Sequence, residues 1–245
     1  MYPWVKALNP YTSRNHPHTI LSYKIKWAQL ADFVDLHNLK ILDFGSGAGI
    51  TANYLAKNNE VVAIEPREEC IKEREQENNY THIHGNYEKL KDFKEGSFDL
   101  IVCHNVLEYA EENNERVIIL KEFSRLLKKG GILSVEKNNG AGRIFSVTVF
   151  EYDIPKAIDL LEGNIMQGPF GKVVLYDPED LVKWGDNLKI EKVLSNRTFF
   201  GLQQNDEIKH EPDWVDKMFD IEMKAADMEP FKSIALFHHV LLKKL

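Results

Sequence analysis

Apolar residues recur along this chain in two periods. Between residues 19 and 36 they fall at Ile20, Leu21, Ile25, Trp27, Leu30, Phe33 and Val34, a helical spacing that predicts a helix ahead of the core. Short apolar runs follow at Leu39–Phe44, Val61–Ile64, Thr81–His84 and Phe98–His104. Helix-compatible stretches begin between them near Gly49, Arg67 and Tyr87. A fifth run, Gly131–Val135, follows a helix predicted over Asn114–Lys128, whose end is marked by Lys128-Lys129-Gly130-Gly131 in the manner of a glycine C-cap. Strands that alternate with helices predict a parallel sheet with helices on both faces.

The pattern changes after residue 137. Asn138–Asp177 holds five glycines, two prolines and a helix-like middle over Ile144–Leu161, and it reads as a helical cap inserted after the fifth strand. A helix over Pro178–Asp186, a strand over Leu188–Phe199, a polar helical insertion over Asp213–Asp227 and a last strand over Ile234–Leu242 complete the chain. Late strands that lie close to each other would form an antiparallel edge. With 245 residues and 43% hydrophobic positions there is material for one sizeable core. We find no internal repeat, low-complexity tract or Gly/Ser linker. The expected organisation is therefore a single domain over 1–245. It comprises an N-terminal helical segment (1–38), a ligand-binding half (39–137), a cap (138–177) and a substrate-side half (178–245) with a second insertion near 200–230.

Charge and cysteine content narrow the class. A formal charge of −7 argues against broad electrostatic binding to nucleic acid. Cys70 and Cys103 are too few for a disulfide framework. The opening Met1-Tyr2-Pro3-Trp4-Val5-Lys6 lacks a basic segment followed by an apolar one, and no run of 18 apolar residues exists. A soluble, cytoplasmic protein with no membrane partner is expected. His238 and His239 are adjacent on a predicted strand and point to opposite faces, so they do not share an ion, and no metal is expected.

The candidate chemistry sits at the strand ends. The first strand closes as Asp43-Phe44-Gly45-Ser46-Gly47-Ala48-Gly49 and runs straight into the helix start Ile50-Thr51. Glycine is needed where a backbone passes within contact distance of a ligand. A dinucleotide fingerprint would place its third glycine where Ile50 stands, which disfavours NAD and FAD. The second strand ends in Glu65-Pro66, twenty-two residues after Asp43, where a carboxylate can accept both hydroxyls of a ribose. The third runs into Gly85-Asn86-Tyr87, whose Asn86 amide can bond the exocyclic amine of adenine. The fourth leaves His104 and Asn105 at its carboxyl end. Asp99, ahead of that strand's apolar run, reads as a structural group.

In order and wording, these segments from Leu39 to about Glu136 resemble the class I S-adenosylmethionine-dependent methyltransferases. The resemblance implies a Rossmann-like α/β sheet of seven strands with the last one antiparallel, and S-adenosyl-L-methionine as cofactor with S-adenosyl-L-homocysteine as product. It also implies Glu65 on the ribose, Gly45 and Gly47 beneath the methionine part, and the residues after the fourth strand, His104 and Asn105, facing the sulfonium. Asp43, Ser46, Gly49, Pro66, Asn86 and Tyr87 complete the expected cofactor set. Asn86 departs from the aspartate commonest there.

The acceptor side more faintly resembles the SmtA-like bacterial family that esterifies the carboxyl group of carboxymethoxyuridine at the tRNA wobble position. The echoes are His104 with Val106-Leu107-Glu108, then Asn138, Asp177-Pro178, Arg197 with Phe199, Glu229-Pro230-Phe231 and His239-Val240. The dense basic run of that family is missing, since Gly163–Val173 offers only Lys172. Methyl transfer from a sulfonium is an in-line displacement, and a carboxylate acceptor needs no general base. Arg197 and Arg143 are the candidates to orient a carboxylate through paired hydrogen bonds. His104 is the candidate base if the acceptor is a hydroxyl or amine. The expected function is transfer of the methyl group to an oxygen acceptor, a carboxylate or hydroxyl on a modified nucleoside or small metabolite, with the carboxylate of a modified tRNA wobble uridine as one candidate. The alternatives are a small-molecule methyltransferase without an RNA partner and a non-catalytic cofactor-binding module.

Overall fold

The computed structural model describes residues 15–110, 113–163, 165–168, 170–203 and 205–245, so the Met1–Lys6 opening lies outside the described residues. In chain order the elements begin with α1 (Pro17–Ala31), β1 (Lys40–Phe44), α2 (Ile50–Leu55), β2 (Glu60–Glu65), α3 (Glu68–Lys72) and β3 (Thr81–His84). They continue with β4 (Phe98–His104), α4 (Asn113–Leu126), β5 (Leu127–Asn138), α5 (Gly140–Ser146) and α6 (Ile154–Gly163). The remainder is β6 (Ile165–Gly168), β7 (Gly171–Val174), α7 (Pro178–Trp184), β8 (Leu188–Asn196), α8 (Trp214–Ala225), α9 (Phe231–Ile234) and β9 (Phe237–Lys244).

These elements form two compact units. Among the described residues, the sheet unit comprises Phe33–Lys137, Asp177–Val193 and Val240–Leu245; the helical unit comprises those up to Asp32, Asn138–Tyr176 and Leu194–His239. Seven strands run in the order β3-β2-β1-β4-β5-β9-β8, and the last strand, β9, is antiparallel to the others. The parallel registers of β1 with β2 and β4 are continuous, from Lys40 opposite Glu60 and from Ile41 opposite Leu100. Strand order reverses between β1 and β4, and in such sheets ligands bind outside the carboxyl ends at that reversal. The apolar runs are buried as parallel strands require: Ile41, Leu42, Ala63, Ile64, Leu100, Ile101, Val102 and Cys103 are all inaccessible to solvent.

Three sequence expectations need correction. The glycines at 130 and 131 do not cap a helix. Helix α4 ends at Leu126, and Leu127, buried and opposite Phe98, already belongs to β5. The register then shifts between Phe98 and Leu100, and Gly130 takes a left-handed φ of 79° there, a conformation glycine adopts without steric cost. The second correction is the antiparallel hairpin of β6 and β7, absent from the sequence reading. Its four-residue strands are too short to show a reliable period. The stretch after β3, expected to be helical, is a 3-10 turn at Tyr87–Asp92.

In the helical unit, Leu21 and Ile25 of α1 pack with Phe200 and Trp214, and Ile208, Val215, Met218, Phe219 and Met223 close around them. Burying one such side chain contributes about 1.5–3 kcal/mol, so this cluster explains why α1 keeps its apolar face. Polar anchors complete the unit. Gln29 donates to the Ser195 carbonyl (2.8 Å) and its Oε1 meets Nδ1 of buried His239 (2.9 Å), while the Asn139 amide donates to the carbonyls of Ser233 and Ala235, both at 2.8 Å. Among the described residues, no helix is long and apolar enough to cross a membrane.

Candidate active site

The turn after β1 is fixed by backbone bonds before any side chain enters. Gly45 and Ser46 donate to the Ile64 carbonyl at 2.8 and 3.1 Å, and Gly49 donates to Ser46 at 2.9 Å. Gly45, Gly47 and Gly49 all have left-handed φ values, of 71°, 56° and 70°. Their surroundings differ. A Cβ on Gly45 would lie 2.3 Å from a Val106 methyl, and one on Gly49 would lie 2.0 Å from the Tyr80 hydroxyl, so both glycines allow protein to pack closely. A Cβ on Gly47 would meet nothing within 4 Å, which leaves open space above that residue.

Glu65, fully buried at the end of β2, is turned toward this loop. Its Oε2 accepts the Gly47 N–H at 2.7 Å, and its Oε1 accepts the Arg67 backbone N–H at 3.1 Å and the Arg67 Nε at 2.6 Å. A carboxylate has about four acceptor positions, so three are used. The first-turn partner Ser46 shares its hydroxyl with His82 Nε2 at 3.0 Å. Burial, with help from the Arg74 charge, holds the His82 imidazole below its ordinary pKa, against the pull of Glu65. Asp43 is buried on β1.

Beside β3, Pro66, His84, Gly85, Asn86, Glu88, Lys89 and Asp92 line a pocket of about 380 Å³. Asn86 is exposed and its Oδ1 caps the following turn by accepting from the Glu88 N–H at 2.9 Å; Tyr87 opens that turn and is half-buried. At the end of β4, His104 Nε2 lies 2.8 Å from the Ser134 hydroxyl. Asn105 adopts a left-handed φ of 57°, a conformation that asparagine tolerates better than most residues with a side chain. It is held by two bonds to one residue: its N–H donates to the Glu136 carbonyl (2.7 Å) and its Nδ2 to Glu136 Oε2 (2.6 Å).

In the helical unit the two candidate arginines meet on one ring. The guanidinium carbon of Arg143 lies 4.7 Å, and that of Arg197 5.1 Å, from the centroid of Phe237. Arg143 Nε also donates to Asn138 Oδ1 at 2.6 Å. His16, Asp206 and His210 bring ligand atoms within 4.8 Å of one another, but the Lys209 ammonium already sits 3.1 Å from Asp206. On α1, Lys24 pairs with Asp216 at 2.7 Å and Lys26 is buried over the Tyr23 ring.

Residues 42–135, the segment that carries the turn and the four strand ends, match the family model described as a methyltransferase domain. The chain carries a methyltransferase domain. It is an S-adenosylmethionine-dependent methyltransferase, and S-adenosyl-L-methionine is its cofactor. No curated protein matches the chain. Solved structures share the methyltransferase fold. One is a SAM-dependent methyltransferase from Thermotoga maritima, 16% identical, covering 98% of this chain and 97% of its own, with a TM-score of 0.63. The PH0226 protein from Pyrococcus horikoshii OT3 is 14% identical over all of both chains, with a TM-score of 0.62. A SAM-dependent methyltransferase from Methanosarcina mazei is 17% identical, covering 89% of this chain and 97% of its own, with a TM-score of 0.57.

The methyltransferase's own residues fit this cofactor. Gly47 leaves space where a ligand can approach the backbone, and buried Glu65 offers a carboxylate to hydroxyl donors. Sequence reasoning missed Arg67, His82 and Glu136, which brace Glu65, Ser46 and Asn105. Arg67 follows Glu65 by two residues, so its proximity was legible in the chain. Glu136 became legible only through its pairing opposite His104.

Proposed function

We propose that this methyltransferase acts in the cytoplasm on an oxygen acceptor, with the carboxylate of a modified wobble uridine in tRNA as the first acceptor to test. One observation carries the choice of a carboxylate. Arg143 and Arg197 place two guanidinium groups on the single ring of Phe237, and a carboxylate offers the planar pair of oxygens that such forks bind. The buried thiols of Cys70 and Cys103, which form no disulfide, suit a reducing compartment.

In this reading Glu65 takes the ribose hydroxyls, and Pro66, Asn86 and Tyr87 border the adenine. Asp43 and the turn of Gly45, Ser46, Gly47 and Gly49 hold the methionine part. Because Glu65 has about one acceptor position left, engaging both hydroxyls requires it to give up a bond to Arg67 or Gly47. When bound, the cofactor supplies an electrophilic methyl carbon on a sulfonium. The chain contributes alignment and exclusion of water. Asn105, clamped by Glu136, and His104, held at Ser134, fix the position of the strand end, and no proton needs to be removed from a carboxylate.

A second reading, a carboxylate on a small molecule, is favoured by the charge of −7. Labelled-methyl transfer to tRNA that carries unesterified carboxymethoxyuridine tests the first reading. Incorporation that is lost after ribonuclease treatment, and that is weakened in Arg197→Lys, supports it. Incorporation only into extracted metabolites, unaffected by ribonuclease, transfers the assignment to the second reading. Calorimetric binding of S-adenosyl-L-homocysteine with no incorporation into either would leave a binding module and defeat both.

A further inference from the structure

We propose that Glu222 is a positioning residue for Arg197, its buried carboxylate gathering three successive backbone amides so that the turn presenting the guanidinium is held in one conformation. The inference rests on the reading of Arg197 as an acceptor-holding group.

Glu222 lies on α8, in the polar insertion. Asp216 and Asp220 on the same helix are exposed, whereas Glu222 is fully buried. A buried carboxylate persists only when its oxygens are satisfied. Here Oε2 accepts the Thr198 N–H at 3.0 Å, and Oε1 accepts those of Phe199 at 2.7 Å and Phe200 at 3.0 Å. Three consecutive N–H groups converging on one anion form a backbone nest. The nest needs an irregular residue ahead of it, and that residue is Arg197 itself, at a left-handed φ of 63°. Such a conformation persists for a side-chain-bearing residue only where the surroundings over-determine it. Besides the carboxylate, the Leu236 N–H donates to the Arg197 carbonyl at 3.2 Å, and the Ser195 N–H donates to the Ala226 carbonyl just beyond α8 at 2.8 Å. The Phe200 ring is buried against His18 at 4.8 Å, which pins the far side of the turn. Burial pushes the Glu222 carboxyl up from its ordinary value, while the three amides and the Arg197 charge pull it down. The second insertion thus delivers an anion to the turn behind the arginine, leaving the guanidinium over Phe237.

The test reads the arginine directly. In the full chain, the Arg197 side-chain Nε–H resonance, assigned through Arg197→Lys, should be displaced by the ring currents of Phe237 at 5.1 Å and Phe200 at 5.8 Å, and Phe237→Leu should remove the larger part of that displacement. In Glu222→Gln, where an amide N–H2 replaces one accepting oxygen, the Arg197 signal should return toward the free-arginine position. The Arg143 signal and S-adenosyl-L-homocysteine affinity should stay within about twofold of wild type. Glu222→Asp, which keeps the charge but withdraws the oxygens, should fall between. With the carboxymethoxyuridine tRNA as substrate, Glu222→Gln should raise its KM about tenfold and leave kcat within about twofold, with no further loss when Arg197→Lys is added. An unmoved Arg197 signal in Glu222→Gln overturns the proposal. So does loss of homocysteine-product binding in both Glu222 variants, since that marks a general fold brace. If the signal moves but wild type does not methylate the tRNA, the acceptor reading alone fails.

Discussion

The sheet unit and the helical unit solve the same problem, holding polar groups in fixed places, by opposite means. In the sheet unit the candidate residues follow directly on strand ends, and their partners are near neighbours in sequence or in register. Glu65 is bonded to Gly47 and Arg67, and Asn105 to Glu136 one strand away. In the helical unit several bonds join residues 94 to 210 positions apart. Gln29 reaches Ser195 and His239, Asn196 reaches Ser22, and Asn139 reaches Ser233 and Ala235. A parallel sheet distributes its polar anchoring over a repeated ladder. A set of short helices has no ladder, so single buried amides and carboxylates must take that role.

The difference can be broken most severely at Gly142. A Cβ there would lie 2.0 Å from the Ala235 carbonyl oxygen, which is backbone and cannot rotate aside. Gly142→Ala should cost about 3 kcal/mol or more by urea denaturation. S-adenosyl-L-homocysteine should still bind if the sheet unit holds its turn independently.

Lys137 sharpens the contrast from the other side, because it is a buried ion within the sheet unit. Burial lowers its pKa from 10.5 to about 8, although Glu108, Asp177, Asp180 and Glu179 pull the other way. A depressed folded pKa means that its contribution to stability is present above 10.5 and is lost as pH falls through about 8. Wild type should therefore lose about 3 kcal/mol more than Lys137→Met over that interval, a shift of one unit being worth about 1.4 kcal/mol. Parallel denaturation curves for the two proteins across this range would overturn the assignment of Lys137 as a desolvated cation.

Glu65→Ala should weaken S-adenosyl-L-homocysteine binding by roughly 10- to 100-fold in calorimetry, the scale of one or two hydrogen bonds to a charged group, while leaving NAD without measurable binding. An unchanged affinity would remove Glu65 from the cofactor site. The smallest effect is expected at the surface of the helical unit. Lys24→Ala breaks only an exposed pair with Asp216 and should change stability by less than about 0.5 kcal/mol and leave cofactor affinity alone. A larger loss of affinity would make Lys24 a cofactor contact.

Much of the sheet unit was legible in the chain. Apolar runs located β1, β2 and β4 to within a residue or so, because these strands are buried along most of their length, and the edge strand β3, with no buried residue, was bounded by its position between turn residues. The glycine turn was legible because left-handed backbone selects glycine locally. The start of β5 was not, since a glycine pair after a helix is compatible with a cap and with a bulge, and only the pairing of Leu127 opposite Phe98 chooses between them. The cap segment announced itself by composition, but its hairpin did not.

By itself, then, the sequence determined the alternation of strands and helices, the turn after β1 and the carboxylate at the end of β2. Each of these depends on local backbone preference or on a short hydrophobic period. Tertiary structure alone decided that Glu136 clamps Asn105, that Arg143 and Arg197 share the ring of Phe237, and that Glu222 serves the amides of residues 198–200. Those pairings satisfy buried charge and hydrogen-bonding groups, and any of several acidic or basic residues has the chemistry to do so. Which one does is set by where packing brings the chain, and no local period records that.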